Sequence, residues 1–151
     1  MKKLLNDKGY TFIEMIVAVA VVGVLLSLSI VNAQMDQDIL LKKCANKLVQ
    51  DIRYIQMKTI YEKNPGYKIY ANYGDSRYQY KIIQPGKLEV IEFDKGIYFI
   101  STIKNNFVQF EVTGVPVQPG SFKLGNSKGT QIEITIEFTT GRVRMRYINK
   151  K

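Results

Sequence analysis

Between Met15 and Met35 the chain runs for 21 residues without one charged side chain, dense in Val, Ala, Leu and Ile. As a helix rising ~1.5 Å per residue this run reaches roughly 31 Å, close to the ~30 Å hydrocarbon thickness of a bilayer. Such a segment can cross a membrane, and the mostly polar remainder has to stay outside it. Lys2, Lys3 and Lys8 precede the run. A secretory signal peptide has the same basic start, but its apolar stretch is only ~7–15 residues long. Ser27-Leu28-Ser29 and Asn32-Ala33-Gln34 are also weak cleavage sites. A retained anchor is the better reading, and the positive-inside rule then puts the three lysines in the cytoplasm and everything after Met35 outside.

The chain has 151 residues, which is one domain's worth, or one domain plus an appendage, and too little for a second large domain. Hydrophobic residues make up 46% and charged ones 23%, so the remainder can build a core. Lys and Arg outnumber Asp and Glu by 22 to 13, and a net charge of +9 favours polyanions such as nucleic acid or an anionic membrane surface. There is no histidine and only one cysteine. Serine-histidine and cysteine-histidine nucleophiles, a histidine metal site and an intrachain disulfide are therefore excluded. Asp75, Glu89 and Glu92 form no carboxylate pair or metal motif, and no Gly-rich phosphate loop follows a strand. The expectation is no enzyme, no metal and no cofactor.

One acid intrudes on the apolar stretch. Glu14 sits in Tyr10-Thr11-Phe12-Ile13-Glu14-Met15-Ile16-Val17, and a carboxylate at membrane depth is a functional candidate in search of a partner unless it snorkels to the headgroup boundary. Together, Lys8-Gly9-Tyr10-Thr11-Phe12-Ile13-Glu14 and the apolar run resemble the processing signature of type IV pilins and pseudopilins. That resemblance implies a leader over residues 1–9, cleavage between Gly9 and Tyr10 by a prepilin peptidase, methylation of the new Tyr10 amine, and an assembly role for Glu14. Tyr10 stands where the family usually has Phe. Subunits leaving the bilayer would pack their apolar helices around a filament axis, where Glu14 needs a cation, and the Tyr10 amine supplies one. The partners implied are the peptidase/methylase, the lipid bilayer before assembly, an assembly platform protein and other pilin subunits.

Past residues 10–35, the membrane or filament-core part, the helix is expected to continue as an amphipathic half over 36–63. Leu41, Cys44, Leu48, Ile52, Ile55 and Thr59 step by three or four along one face that should pack on a sheet. Cys44 reads as a small core residue, and Asp38 with Lys42 as an i,i+4 ion pair. Asn64-Pro65-Gly66 ends the helix. Over 66–151 the period becomes two, with strands expected at 67–73, 77–83, 88–93, 97–101, 107–112, 131–138 and 142–148. Pro116, Pro119, Gly120, Gly125, Asn126 and Gly129 suggest a surface loop in the longest break. The fold class is α+β: a long N-terminal helix packed on an antiparallel sheet domain, pilin-like.

In the last strand Arg142, Arg144 and Arg146 alternate with Val143, Met145 and Tyr147, so three guanidiniums share one face with Lys150 trailing. Phe138-Thr139-Thr140-Gly141-Arg142 resembles the carboxy-terminal region of GspH/FimT-type minor pseudopilins. Gly141-Arg142-Val143-Arg144 is similar to the Gly-Arg-x-Arg element linked to DNA binding in the FimT branch. An ordinary wet edge strand, with Glu133 and Glu137 lying across from the arginines, is the competing reading. The sequence therefore points to a minor pilin or pseudopilin, a structural subunit of an envelope-spanning filament for type II secretion, a type IV pilus or DNA uptake. It would sit in the inner membrane before assembly, with double-stranded DNA as a candidate ligand of Arg142, Arg144, Arg146 and Lys150. The alternative is a membrane-anchored DNA receptor for natural transformation, with filament assembly secondary.

Overall fold

A computed structural model describes residues 11–31, 36–71 and 76–148, with the side chains of the first helix described as far as residue 25. The chain divides into two units, Met1–Met35 and Asp36–Lys151. In the first, α1 spans Phe12–Val31. Every described side chain on it is exposed, Phe12 at 83% and Val19 at 71% among them. Apart from Glu14 in its first turn the described part of the helix keeps no polar face, which is the pattern of a helix covered on all sides and not of one lying half in water. Among the described residues no helix is long and apolar enough to cross a membrane; residue 10 and residues 32–35 of the expected 10–35 segment lie outside them.

The expected single long helix is instead two. In the second unit α2 spans Gln37–Glu62, and Asp36 before it has ψ 132°, which is not helical. The Asp36 carboxylate accepts from Asp38 N at 3.3 Å and from Lys128 Nζ at 2.6 Å, so an N-cap and an ion pair fix the start of a new helix. The Lys128 hydrogen bond, more than the backbone one, holds the Asp36 carboxyl below its ordinary range. Asp38 does not pair with Lys42; its Oδ1 accepts from the buried Asn126 at 2.7 Å. The observed i,i+4 pairs are Lys47–Asp51 and Lys58–Glu62. At the other end Lys63 adopts the left-handed conformation, φ 50°, one residue before Asn64-Pro65-Gly66.

The apolar stripe is as expected: Leu41, Cys44, Leu48, Ile52, Ile55 and Thr59 are all buried, joined by Ala45, Val49 and Asp51. It packs on two sheets rather than one. The first has order β3-β2-β1-β5, from β1 (Lys68–Ala71), β2 (Gln79–Gln84), β3 (Lys87–Glu92) and β5 (Phe107–Gln109). The second has order β4-β6-β7-β8, from β4 (Ile97–Ser101), β6 (Gly120–Asn126), β7 (Gln131–Ile136) and β8 (Val143–Ile148). Every pairing is antiparallel. Phe99 N donates to Arg77 O at 2.8 Å and ties the edge of the second sheet to the chain just before β2.

Strand β6 is a correction, because residues 120–126 were expected within a loop. Phe122 and Leu124 are fully buried in the middle of the second sheet. The glycines there are packing residues: a Cβ on Gly120 would lie 2.9 Å from Ile103 Cγ1, and one on Gly125 would lie 2.5 Å from Ile100 Cδ1. Both inner faces and α2 share one core that includes Ile69, Tyr80, Phe99, Phe110, Ile134 and Val143. One charge is buried in it. Asp51 accepts from Tyr80 OH at 2.5 Å and from Lys47 Nζ at 2.6 Å, so both carboxylate oxygens are satisfied. Burial first, and the Asp51 hydrogen bond second, push the Tyr80 hydroxyl pKa far up, which keeps it a neutral donor. Cys44 is buried as expected, and that burial raises its thiol pKa.

Candidate processing and assembly site

Gly9 and Tyr10 lie outside the described residues, and so does Lys150. Glu14 is described, and it closes the first turn of α1. Its Oε2 accepts from Thr11 N and from Thr11 Oγ1, each at 2.8 Å, while Glu14 N donates back to Thr11 Oγ1 at 3.3 Å. Met15 N donates to Thr11 O at 3.2 Å, the first bond of the helix. This reciprocal exchange is a capping box, with Thr11 as N-cap and Glu14 three residues on. It satisfies backbone donors that a helix start otherwise leaves open, and in an apolar setting those donors have no water to turn to. The sequence carried the signal, since Thr-x-x-Glu ahead of an apolar run is the pattern of such a box. Glu14 thus has a local partner in Thr11, independent of any cation.

The arginine face is built by the β7–β8 hairpin. Glu137 N donates to Arg142 O at 3.0 Å and Gly141 N to Glu137 O at 2.9 Å, closing the turn, with Thr140 Oγ1 donating to the Glu137 carboxylate at 3.1 Å. Arg142 therefore sits in the turn and not in the strand. The register sets Thr135 against Arg144 and Glu133 against Arg146 on the outer face. Arg144 Nε lies 2.8 Å from Glu137 Oε1, and Arg146 Nη2 lies 2.8 Å from Glu133 Oε2. Arg146 is the main cause holding the Glu133 carboxyl below its ordinary range, with Ser121 adding a hydrogen bond. Two of the three arginines are therefore neutralised by cross-strand or turn acids. Arg142 is exposed and makes no side-chain hydrogen bond or ion pair among the described residues. Sequence reading missed Lys123, which the register sets across from Glu133 on the same face.

Gly141 has a structural task of its own. It is buried with φ +63°, and a Cβ there would lie 2.4 Å from Gly114 O and 2.4 Å from Gln56 Nε2. Gln56 Nε2 itself donates to Gly114 O at 2.7 Å, so helix α2, the 111–118 loop and this turn meet at one point. Nearby Arg53 donates to Val143 O at 3.4 Å.

Residues 4–30 match the family model described as the prokaryotic N-terminal methylation motif. The match covers the apolar helix and the residues before it, stops short of α2, and supports a type IV pilin-like character for that segment. No curated protein and no solved structure matches the chain. Among the described residues no group of His, Cys, Asp or Glu side chains could hold a metal ion.

Proposed function

We propose that this chain is a minor type IV pilin or pseudopilin, a non-enzymatic structural subunit made in the inner membrane and assembled into an envelope-spanning filament. The observation that carries this reading is the methylation motif over residues 4–30, with Glu14 bonded to the N–H of Thr11. Residues 1–9 are the leader, and 10–35 are the anchor that becomes filament core. Cleavage after Gly9 makes the Tyr10 amine, one residue from the amide that Glu14 already holds. The 21-residue charge-free run supports the membrane stage, and the all-round apolar surface of α1 supports burial among like helices afterwards. The peptidase, the assembly platform and companion pilins are the partners this role needs. Intact-mass measurement of membrane-extracted protein should give a chain beginning at a methylated Tyr10. A terminus near Ala33, or an uncut chain in cells that contain the peptidase, would overturn the reading.

DNA capture by the GspH/FimT-like hairpin is the weaker second role, favoured by the unpaired Arg142 and opposed by the pairing of Arg144 and Arg146. Each neutralised phosphate contributes roughly 0.9 to the slope of log affinity against log salt. With Arg142 as the open cation of the described hairpin and Lys150 as the second candidate from the sequence, the full chain in zwitterionic nanodiscs should bind duplex DNA weakly, with a slope of about −2. Glu133→Gln releases Arg146 and should steepen the slope by about 0.9. No binding at low salt, or a slope that ignores Glu133→Gln, leaves the hairpin an ordinary wet sheet face.

A further inference from the structure

We propose that β3 is a docking edge for a second copy of this chain, the two β3 strands pairing antiparallel about a two-fold axis at Leu88. Among the described residues four strands stand at sheet edges: β3 and β5 in the first sheet, β4 and β8 in the second. Three of these edges are closed. Gln109 O in β5 accepts from Val117 N at 2.9 Å, and Phe107 O accepts from the Gln118 side chain at 2.9 Å. Phe99 N in β4 is bonded to Arg77 O, and that strand carries a register shift between Phe99 and Ser101. Val143 O in β8 is taken by Arg53, and the strand carries Arg144 and Arg146. Natural sheets blunt their edges with such covers, bulges and charges because an open ladder recruits another strand.

Among the described residues nothing caps the outer backbone groups of β3 and no bulge interrupts it, although it carries Lys87, Glu89 and Glu92. Its pairing with β2 runs without a shift from Gln79↔Glu92 to Gln84↔Lys87, and it contains no proline. Phe93 N donates to Tyr78 O at 2.8 Å, which makes 93/78 a hydrogen-bonded pair. By alternation, Ile91, Glu89 and Lys87 turn their backbone groups toward β2, and Leu88, Val90 and Glu92 turn theirs to the open edge. Two of these three residues are apolar and uncovered, Leu88 at 57% exposure and Val90 at 45%, and the third, Glu92, is an exposed acid at the strand's end.

The register follows from charge. With the axis at Leu88, Leu88 faces its own copy, and Lys87 faces Glu89 of the second copy, twice over. The two groups already attract one another within a strand, Lys87 Nζ lying 3.2 Å from Glu89 Oε2 with both side chains well exposed. An axis at Val90 would instead oppose Leu88 to Glu92 and Glu89 to Ile91, apolar against acid in each case. Opposed opposite charges and apolar pairs stabilise an antiparallel pair, and mismatches do not.

The test uses the full chain in detergent micelles under a mild oxidant, read on a non-reducing gel. A hydrogen-bonded antiparallel pair has Cα atoms about 5.5 Å apart, inside the range a disulfide can bridge. Leu88→Cys should crosslink to a dimer well above a Val117→Cys control, a loop position as exposed as Val90. The native Cys44, at 6% exposure, is a low background in both. Adding Lys87→Glu or Glu89→Lys to Leu88→Cys should remove the crosslink, and adding both should restore it. Crosslinking no greater than the control overturns the proposal. So does a crosslink that the single charge changes leave intact, or a double exchange as weak as either single one. The outcome is independent of leader cleavage, so it stands apart from the filament reading.

Discussion

A Gly141→Ala chain is expected to lose about 3 kcal/mol of stability in its sheet domain, a large share of the ~5–15 kcal/mol that holds a typical domain folded. Two costs add. Holding a residue with a Cβ at φ +63° costs about 1–2 kcal/mol, and pressing that Cβ into a filled site costs about 1–3 more. The obstructions lie 2.4 Å away, and one of them is the backbone oxygen of Gly114, which cannot swing aside. Urea unfolding of the full chain in detergent, followed by near-ultraviolet circular dichroism of its tyrosines, measures the loss. Arg142→Gln, in the same turn but exposed, should shift stability by no more than about 0.5 kcal/mol. Equal effects from the two changes would mean the 111–118 loop yields freely. The prediction bears on the Gly-Arg-x-Arg resemblance, because a Gly141 variant disturbs the packing of this turn against Gln56 and Gly114 whether or not it loses a ligand contact.

Glu14→Ala is expected to leave synthesis and membrane insertion intact and to cut incorporation into sheared filaments roughly a hundredfold or more. In the proposed filament core the Tyr10 amine would be left without its counter-charge, and removing one member of a buried charge pair costs about 3–5 kcal/mol. Loss of the capping box adds a smaller penalty of about 1 kcal/mol. Glu14→Gln separates the two, since Gln can serve at the third position of a capping box yet carries no charge. If the charge is what assembly requires, Gln should fail nearly as badly as Ala, with Thr11→Ala only mildly impaired. If Gln assembles normally while Thr11→Ala fails, Glu14 acts through the helix cap alone, and the amine pairing is wrong.

The stripe from Leu41 to Thr59 was legible in the sequence because helical burial repeats at a fixed spacing that any chain must obey. The motif around Gly9 and Glu14 was legible because it is local, with every residue within one short segment. The capping box was equally local and was overlooked only because the same residues had another reading. Strand β6 was not legible, since Gly120 and Gly125 read as loop punctuation until Ile103 and Ile100 are seen filling the space their side chains would take. Nor could the break at Asp36 be read there, because it is held by Lys128 and reinforced by the bond from Asn126 to Asp38, about ninety residues downstream.

The sequence by itself determined the processing signal, the apolar helix, the face of α2 that is buried and the alternation of the strands, all of them properties of neighbouring residues. Only the tertiary structure decided which charges remain available. Arg144 and Arg146 read as a cationic stripe until the register brings Glu133 opposite Arg146 and the turn brings Glu137 to Arg144. The openness of the β3 edge was likewise hidden, because an edge is defined by what fails to pair with it, and pairing is a contact between segments far apart in the chain.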